Sequence, residues 1–134
     1  MKAELVYLDS SAIVKLVVYE RETPALLSFL GGHSERASSS LARVEVLRAL
    51  RRARAKASER RRAAEVLARI ALVRIDDDIL ETAAELEPAE LRSLDAIHIA
   101  TALSIREDLA GIVSYDDRLT TGAAKLKLPV ISPR

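Results

Sequence analysis

Residues 6–14, Val6-Tyr7-Leu8-Asp9-Ser10-Ser11-Ala12-Ile13-Val14 (VYLDSSAIV), pass from one hydrophobic period to another across a single aspartate. Leu5–Leu8 is an apolar run of the length of a buried strand, and Ser10–Tyr19 has the spacing of a helix. A carboxylate at the edge of a core is costly unless it caps, pairs or coordinates. Capping is the plain structural answer, because Asp and Ser before an apolar helix satisfy its free N–H groups. A bound cation is the chemical one, and the rest of the chain has to decide between them.

The alternation of strand and helix continues. Ile112–Tyr115 reads as a second buried strand, Ala71–Ile75 and Val130–Ile131 as further ones, and Ala37–Ser39 as a weaker candidate. Helical spacing covers Thr23–Leu30, closed by Gly31-Gly32. It resumes from Leu41 to about Lys56, with Leu41, Val44, Leu47 and Leu50 as apolar positions, and again over Glu59–Ile70. Asp76 to Glu87, stopped by Pro88, Leu94–Arg106, and a stretch from near Asp116 to before Pro129 complete the pattern. The triplet Asp76-Asp77-Asp78 suits a helix cap and macrodipole and needs no further function. Strands separated by helices predict an α/β sandwich, three layers α/β/α around a mainly parallel central sheet. The length suits a single domain over residues 1–134.

With 21 Lys+Arg against 20 Asp+Glu, the formal net charge is +1. The absence of cysteine excludes disulfides, thiolate metal sites and cysteine nucleophiles. Two histidines, His33 and His98, are too few for a histidine-based zinc site. No apolar run approaches the ~20 residues of a membrane span. Asp9 and Lys15 interrupt the stretch that a secretion signal would need, so the chain reads as cytoplasmic, without a membrane partner. Positive charge is concentrated in Arg48, Arg51, Arg52, Arg54, Lys56, Arg60, Arg61 and Arg62, opposed only by Glu59. Such a stripe is ordinarily a solvated helix face, and otherwise the footprint of a polyanion. With one Phe, three Tyr and no Trp, base stacking is not the main mode of contact.

In open α/β sheets, ligands bind beyond the carboxyl ends of the strands. Asp9 and Asp116 directly follow the runs ELVYL and GIVSY. Glu45, in LARVEVLRAL, lies inside a helical segment where capping cannot account for it, although Arg48 is placed to pair with it. Asp95, in LRSLDAIHIATAL, is embedded among apolar residues, and either it or the better-placed Ser93 is available to cap. Packed together, Asp9, Glu45, Asp95 and Asp116 would repel one another strongly. A hard divalent cation, Mg²⁺ or Mn²⁺, removes that objection and suits phosphodiester hydrolysis. His98 reads as a packing or hydrogen-bonding residue rather than a general base. Among the rivals, a phosphotransfer protein with Asp9 as nucleophile lacks the companion acid, because Ser11 stands two residues on. A receiver-like phosphoacceptor would want an acidic pair at the first strand and a late lysine after another. A non-catalytic module that docks partners in an acidic pocket stays open.

YLDSSAIVKL, LARVEVLRAL, LRSLDAIHIATAL and GIVSYDDRL occur in that order, and the third is the most specific. On these motifs the sequence resembles PIN-domain ribonucleases, most closely the VapC-like toxins of type II toxin–antitoxin pairs, over essentially its whole length. The resemblance implies a PIN-like domain with Asp9, Glu45, Asp95 and Asp116 as catalytic carboxylates holding Mg²⁺ or Mn²⁺. It makes Ser11, Asp117 and Ser114, where the family often has Thr, outer-shell candidates. It also implies endonucleolytic cleavage of RNA, a VapB-like antitoxin and a homodimer. Arg48, Arg51 and Arg52 become candidate RNA contacts, because a carboxylate-lined pocket repels phosphate unless positive charge stands nearby. On this reading the serines cap the first helix and a cation accounts for Asp9.

Overall fold

The computed structural model describes residues 4–134. Strand β1 (Leu5–Leu8) leads through helices α1 (Ser10–Val17) and α2 (Thr23–Leu30) to β2 (Arg36–Ser39). Helices α3 (Leu41–Arg52) and α4 (Ala57–Ala68) lead to β3 (Ala71–Val73). Helices α5 (Asp77–Glu85) and α6 (Ser93–Ser104) connect to β4 (Leu109–Val113), and α7 (Asp117–Lys125) connects to β5 (Val130–Ile131). The five strands form one sheet in the order β3-β2-β1-β4-β5, with every neighbouring pair parallel.

The sheet is buried on both sides, which is why β1 and β4 read as continuous apolar runs rather than alternating ones. Along β1, Val6 and Leu8 join a core with Ile13 and Leu16 of α1, Leu26 of α2, Val46 of α3 and Ala63 of α4. Tyr7 points the other way, into a core with Ile99 of α6, Leu119 and Ala123 of α7, and Ile112. Helix α5 packs on α6. Parallel crossovers are right-handed, so a chain that adds strands first to one side of β1 and then to the other must move its helices to the opposite face. The division of the two cores follows that rule. It also makes the gap between β1 and β4 the switch point of the sheet, beyond whose carboxyl ends a cleft opens.

Several element boundaries differ from expectation for identifiable reasons. Strand β4 begins at Leu109 and ends at Val113, so Ser114 and Tyr115 lie in the connection rather than in a strand over Ile112–Tyr115. Helix α3 stops at Arg52, short of Lys56. Arg54 takes φ 53°, its N–H bonds Arg51 O, and Ala55 N–H bonds Leu50 O. This is a Schellman closure with Ala55 and Leu50 both buried, built on an arginine where glycine is usual. The apolar positions of α3 also divide. Ala42, Val46 and Leu50 face the core, whereas Val44 is 59% exposed and Leu47 50% exposed. Strand β2 is made of small residues, and Ala37, Ser38 and Ser39 are all buried. The Asp76 triplet behaves as expected, with Asp76 accepting from Ile79 N–H at 2.9 Å at the start of α5.

Candidate active site

Asp9 leaves the end of β1 and is buried, 2% exposed. Its Oδ1 accepts from Ala12 N–H at 3.0 Å, so Asp9 itself is the N-cap of α1. This corrects the assignment of capping to the serines. Ser11 instead donates to Asp9 Oδ1 at 2.6 Å while accepting from Tyr115 N–H at 2.9 Å. Ser114 donates to Asp9 Oδ2 and accepts from Asp116 N–H at 3.0 Å. The two hydroxyls therefore staple the carboxyl ends of β1 and β4 through one carboxylate. Burial pushes the Asp9 carboxyl above its usual range, and the bonds from Ser11, Ser114 and Ala12 oppose that rise.

Asp116 lies three residues beyond β4 and caps α7, its Oδ1 accepting from Arg118 and Leu119 N–H groups. It is exposed, as is Asp117 in the first turn of α7. The loop between them and β4 is clasped from the C-terminal side. Tyr115 O–H donates to Pro133 O at 2.7 Å, Ser132 donates to Ser114 O at 2.6 Å, and Lys15 Nζ lies 4.8 Å over the Tyr115 ring. Asp95 is half-buried in the first turn of α6, whose N-cap is Arg92, and neither Asp95 nor Ser93 makes a capping bond. Its carboxyl is held above the ordinary range first by burial and then by the neighbouring Asp116, with Glu45 and Asp9 adding to the effect and His98 opposing it.

Glu45, on the cleft side of α3, does not ion-pair with Arg48. Its Oε1 lies 2.5 Å from His98 Nε2. Tyr7 belongs to the site as well, although the sequence alone does not single it out. Its hydroxyl meets His98 Nδ1 at 2.6 Å, fully buried. A signal for it existed: a tyrosine on an otherwise aliphatic buried strand needs a partner for its hydroxyl, and His98 already read as a hydrogen-bonding residue. Beside Glu45 runs a groove of about 500 Å³, lined by Ser10, Ser11, Leu41, Val44, Arg48, Arg52 and Leu94 among others. The basic stripe is thus divided. Arg48 and Arg52 border the cleft, whereas Arg60 and Arg62 spend donors on Ala55 O and Leu16 O in the scaffold.

The four carboxylates converge from two strand ends and two helices and act on one another electrostatically. Among the described residues no Lys or Arg is ion-paired with any of them. As their side chains stand, no group of three His, Asp or Glu among the described residues is arranged to hold an ion. Protein partners occupy Asp9, Glu45 and Asp116 instead. The donor chemistry nevertheless fits a hard divalent cation, with oxygen ligands only and a surplus of negative charge that no Lys or Arg among the described residues offsets. No helix of the described residues is long and apolar enough to cross a membrane.

Comparison with known proteins places the chain among relatives of one kind. The model of the PIN domain family matches residues 6–125. Ribonuclease VapC46 of Mycobacterium tuberculosis is 48% identical over 128 residues, covering 96% of this chain and 97% of the relative. Ribonuclease VapC47 of the same species is 35% identical over 133 residues, with the same coverage. A toxin-antitoxin complex from Klebsiella pneumoniae contains a chain of the same fold, with TM-score 0.72 and 21% identity over 96% of this chain and 98% of that one.

Proposed function

The chain belongs to the PIN-domain family, and from that premise we propose that it is a divalent-metal-dependent endoribonuclease, the toxin of a toxin–antitoxin pair. The observation that carries the proposal is the convergence of Asp9, Glu45, Asp95 and Asp116 on one cleft, where burial and then the charges of the other three raise the Asp95 carboxyl. Kinship with proteins named as VapC ribonucleases supports RNA as the substrate. Mg²⁺ or Mn²⁺ is the cofactor, held by Asp9, Asp95 and Asp116 with Glu45 as ligand or water-orienting group. Bound there, such a cation acidifies water and offsets charge on the scissile phosphate.

The protein's own part is positional. Ser11 and Ser114 fix Asp9, α7 fixes Asp116, and His98 fixes Glu45. Glu45 orients a water for in-line attack on phosphorus; the P–O3′ bond breaks, and the products carry a 5′-phosphate and a 3′-hydroxyl. Arg48 and Arg52 at the rim hold the flanking phosphates, with Arg51 between them in the same helix as a further contact. A VapB-like antitoxin and a second copy of the chain are the expected partners in the cytoplasm. The exposed Val44, Leu47 and Leu94 offer them apolar surface.

The test is cleavage of RNA by the purified chain and by Asp95→Asn, each with Mg²⁺, with Mn²⁺ and with EDTA. Cleavage only by the wild type with a cation is expected, with Asp95→Asn reduced at least ~100-fold, since even outer-shell changes cost 10–100-fold. A folded wild type that cleaves nothing under any of these conditions would favour the acidic docking module instead.

A further inference from the structure

Three elements that the fold brings together from distant parts of the chain share one buried hydrogen-bond line: Tyr7 of β1, His98 of α6 and Glu45 of α3. Tyr7 is 0% exposed and His98 2% exposed, and only the Glu45 end of the line reaches the cleft. A carboxylate accepts and does not donate, so His98 Nε2 carries the hydrogen on the Glu45 side. In the neutral imidazole Nδ1 is then the acceptor, and the Tyr7 O–H donates to it. The Tyr7 and His98 rings meet edge to face, 5.9 Å between centroids and 78° between planes, which holds the imidazole from turning. Resting on the proposed metal-dependent site, we propose that Tyr7 and His98 are positioning residues that fix the Glu45 carboxylate, and with it the metal- and water-holding geometry, from inside the core.

A glutamate on an exposed helix face samples several rotamers, and each one lost on binding costs affinity. One bond to a buried, immobile donor removes that freedom in advance. The same logic makes partners behind metal ligands worth 10–100-fold in affinity or activity.

The two amide replacements of His98 separate positioning from mere packing. His98→Gln places an N–H near the position of Nε2 and keeps the bond to Glu45, while His98→Asn places its amide near Nδ1, meeting Tyr7 but not Glu45. The measurements are Mn²⁺ affinity of the RNA-free protein by calorimetry, kcat and KM for RNA cleavage, and melting in EDTA to establish folding. Positioning predicts that His98→Asn loses at least ~10-fold in Mn²⁺ affinity and in kcat with KM unchanged, while His98→Gln stays within ~3-fold of wild type. A structural role predicts the reverse order, and that result overturns the proposal. Tyr7→Phe, which keeps the ring in the core, carries the test if neither His98 variant folds; it should lower Mn²⁺ affinity ~10-fold, and unchanged affinity overturns the proposal. Glu45→Gln is the reference. If it loses Mn²⁺ binding while Tyr7→Phe and both His98 variants match wild type, the positioning role fails and the ribonuclease reading stands. A wild type that neither binds Mn²⁺ nor cleaves RNA overturns both.

Discussion

Asp9 carries two duties that the sequence presents as alternatives. Its Oδ1 caps α1, while the whole carboxylate stands at the head of the cleft, so capping and coordination are roles of one group. The conflict appears in its titration, because burial disfavours its charged form and the same holds for Asp95. For both, the folded pKa lies above the unfolded value. The stability this represents is complete below the ordinary aspartate value of ~3.9 and is lost as pH rises through the raised folded value. In EDTA, Asp9→Asn should therefore melt above the wild type at pH 8, and the difference should shrink toward pH 4. A variant that melts lower at pH 8 would mean that the bonds from Ser11, Ser114 and Ala12 outweigh desolvation. At this scale the candidate site was legible, since four acids in apolar sequence contexts call for an explanation. Tyr7 carried a fainter signal, a hydroxyl on a buried aliphatic strand that needs a partner, and which partner it meets depends on long-range packing.

Helix and strand ends were the less legible part. The stop of α3 rests on Arg54 in the left-handed region, and α7 ends in the same way. There Lys127 takes φ 61°, its N–H bonds Ala124 O, and Leu128 N–H bonds Ala123 O. Sequence patterns look for glycine at such closures, and here the buried pairs Ala55 with Leu50 and Leu128 with Ala123 enforce them instead. A non-glycine residue in this conformation costs roughly 1–2 kcal/mol. Arg54→Gly and Lys127→Gly should each stabilise the fold by about 1 kcal/mol after the greater entropy of glycine in the unfolded chain is deducted. Urea denaturation checks this through an upward shift of the midpoint at unchanged slope. Strand β2 was hard to read for a different reason. Its segment Arg36–Ser39 has no large apolar side chain, and the neighbours that bury it come from elsewhere in the chain.

At the scale of the whole molecule, the three-layer architecture was legible from alternation alone, but the strand order was not. That β1 lies between β2 and β4 depends on long-range pairing, and this order is what brings Asp9 beside Ser114 and Asp116. The break between α3 and α4 divides the basic stripe into a cleft-facing part and a scaffold part. Arg48→Ala and Arg52→Ala should each lower the slope of log affinity for single-stranded RNA against log salt by ~0.7. Arg62→Ala should leave that slope alone and lower the melting temperature, because its guanidinium holds Leu16 O. On the proposed function, Asp9, Glu45, Asp95 and Asp116 together hold one divalent metal, and anomalous difference density from crystals grown with Mn²⁺ locates it. A peak bounded by Asp9, Asp95 and Asp116, within coordination distance of at least two of them and absent from Asp9→Asn crystals, is the predicted result. Manganese bound elsewhere, with none among these carboxylates in a protein that cleaves RNA only when Mn²⁺ is present, would contradict it.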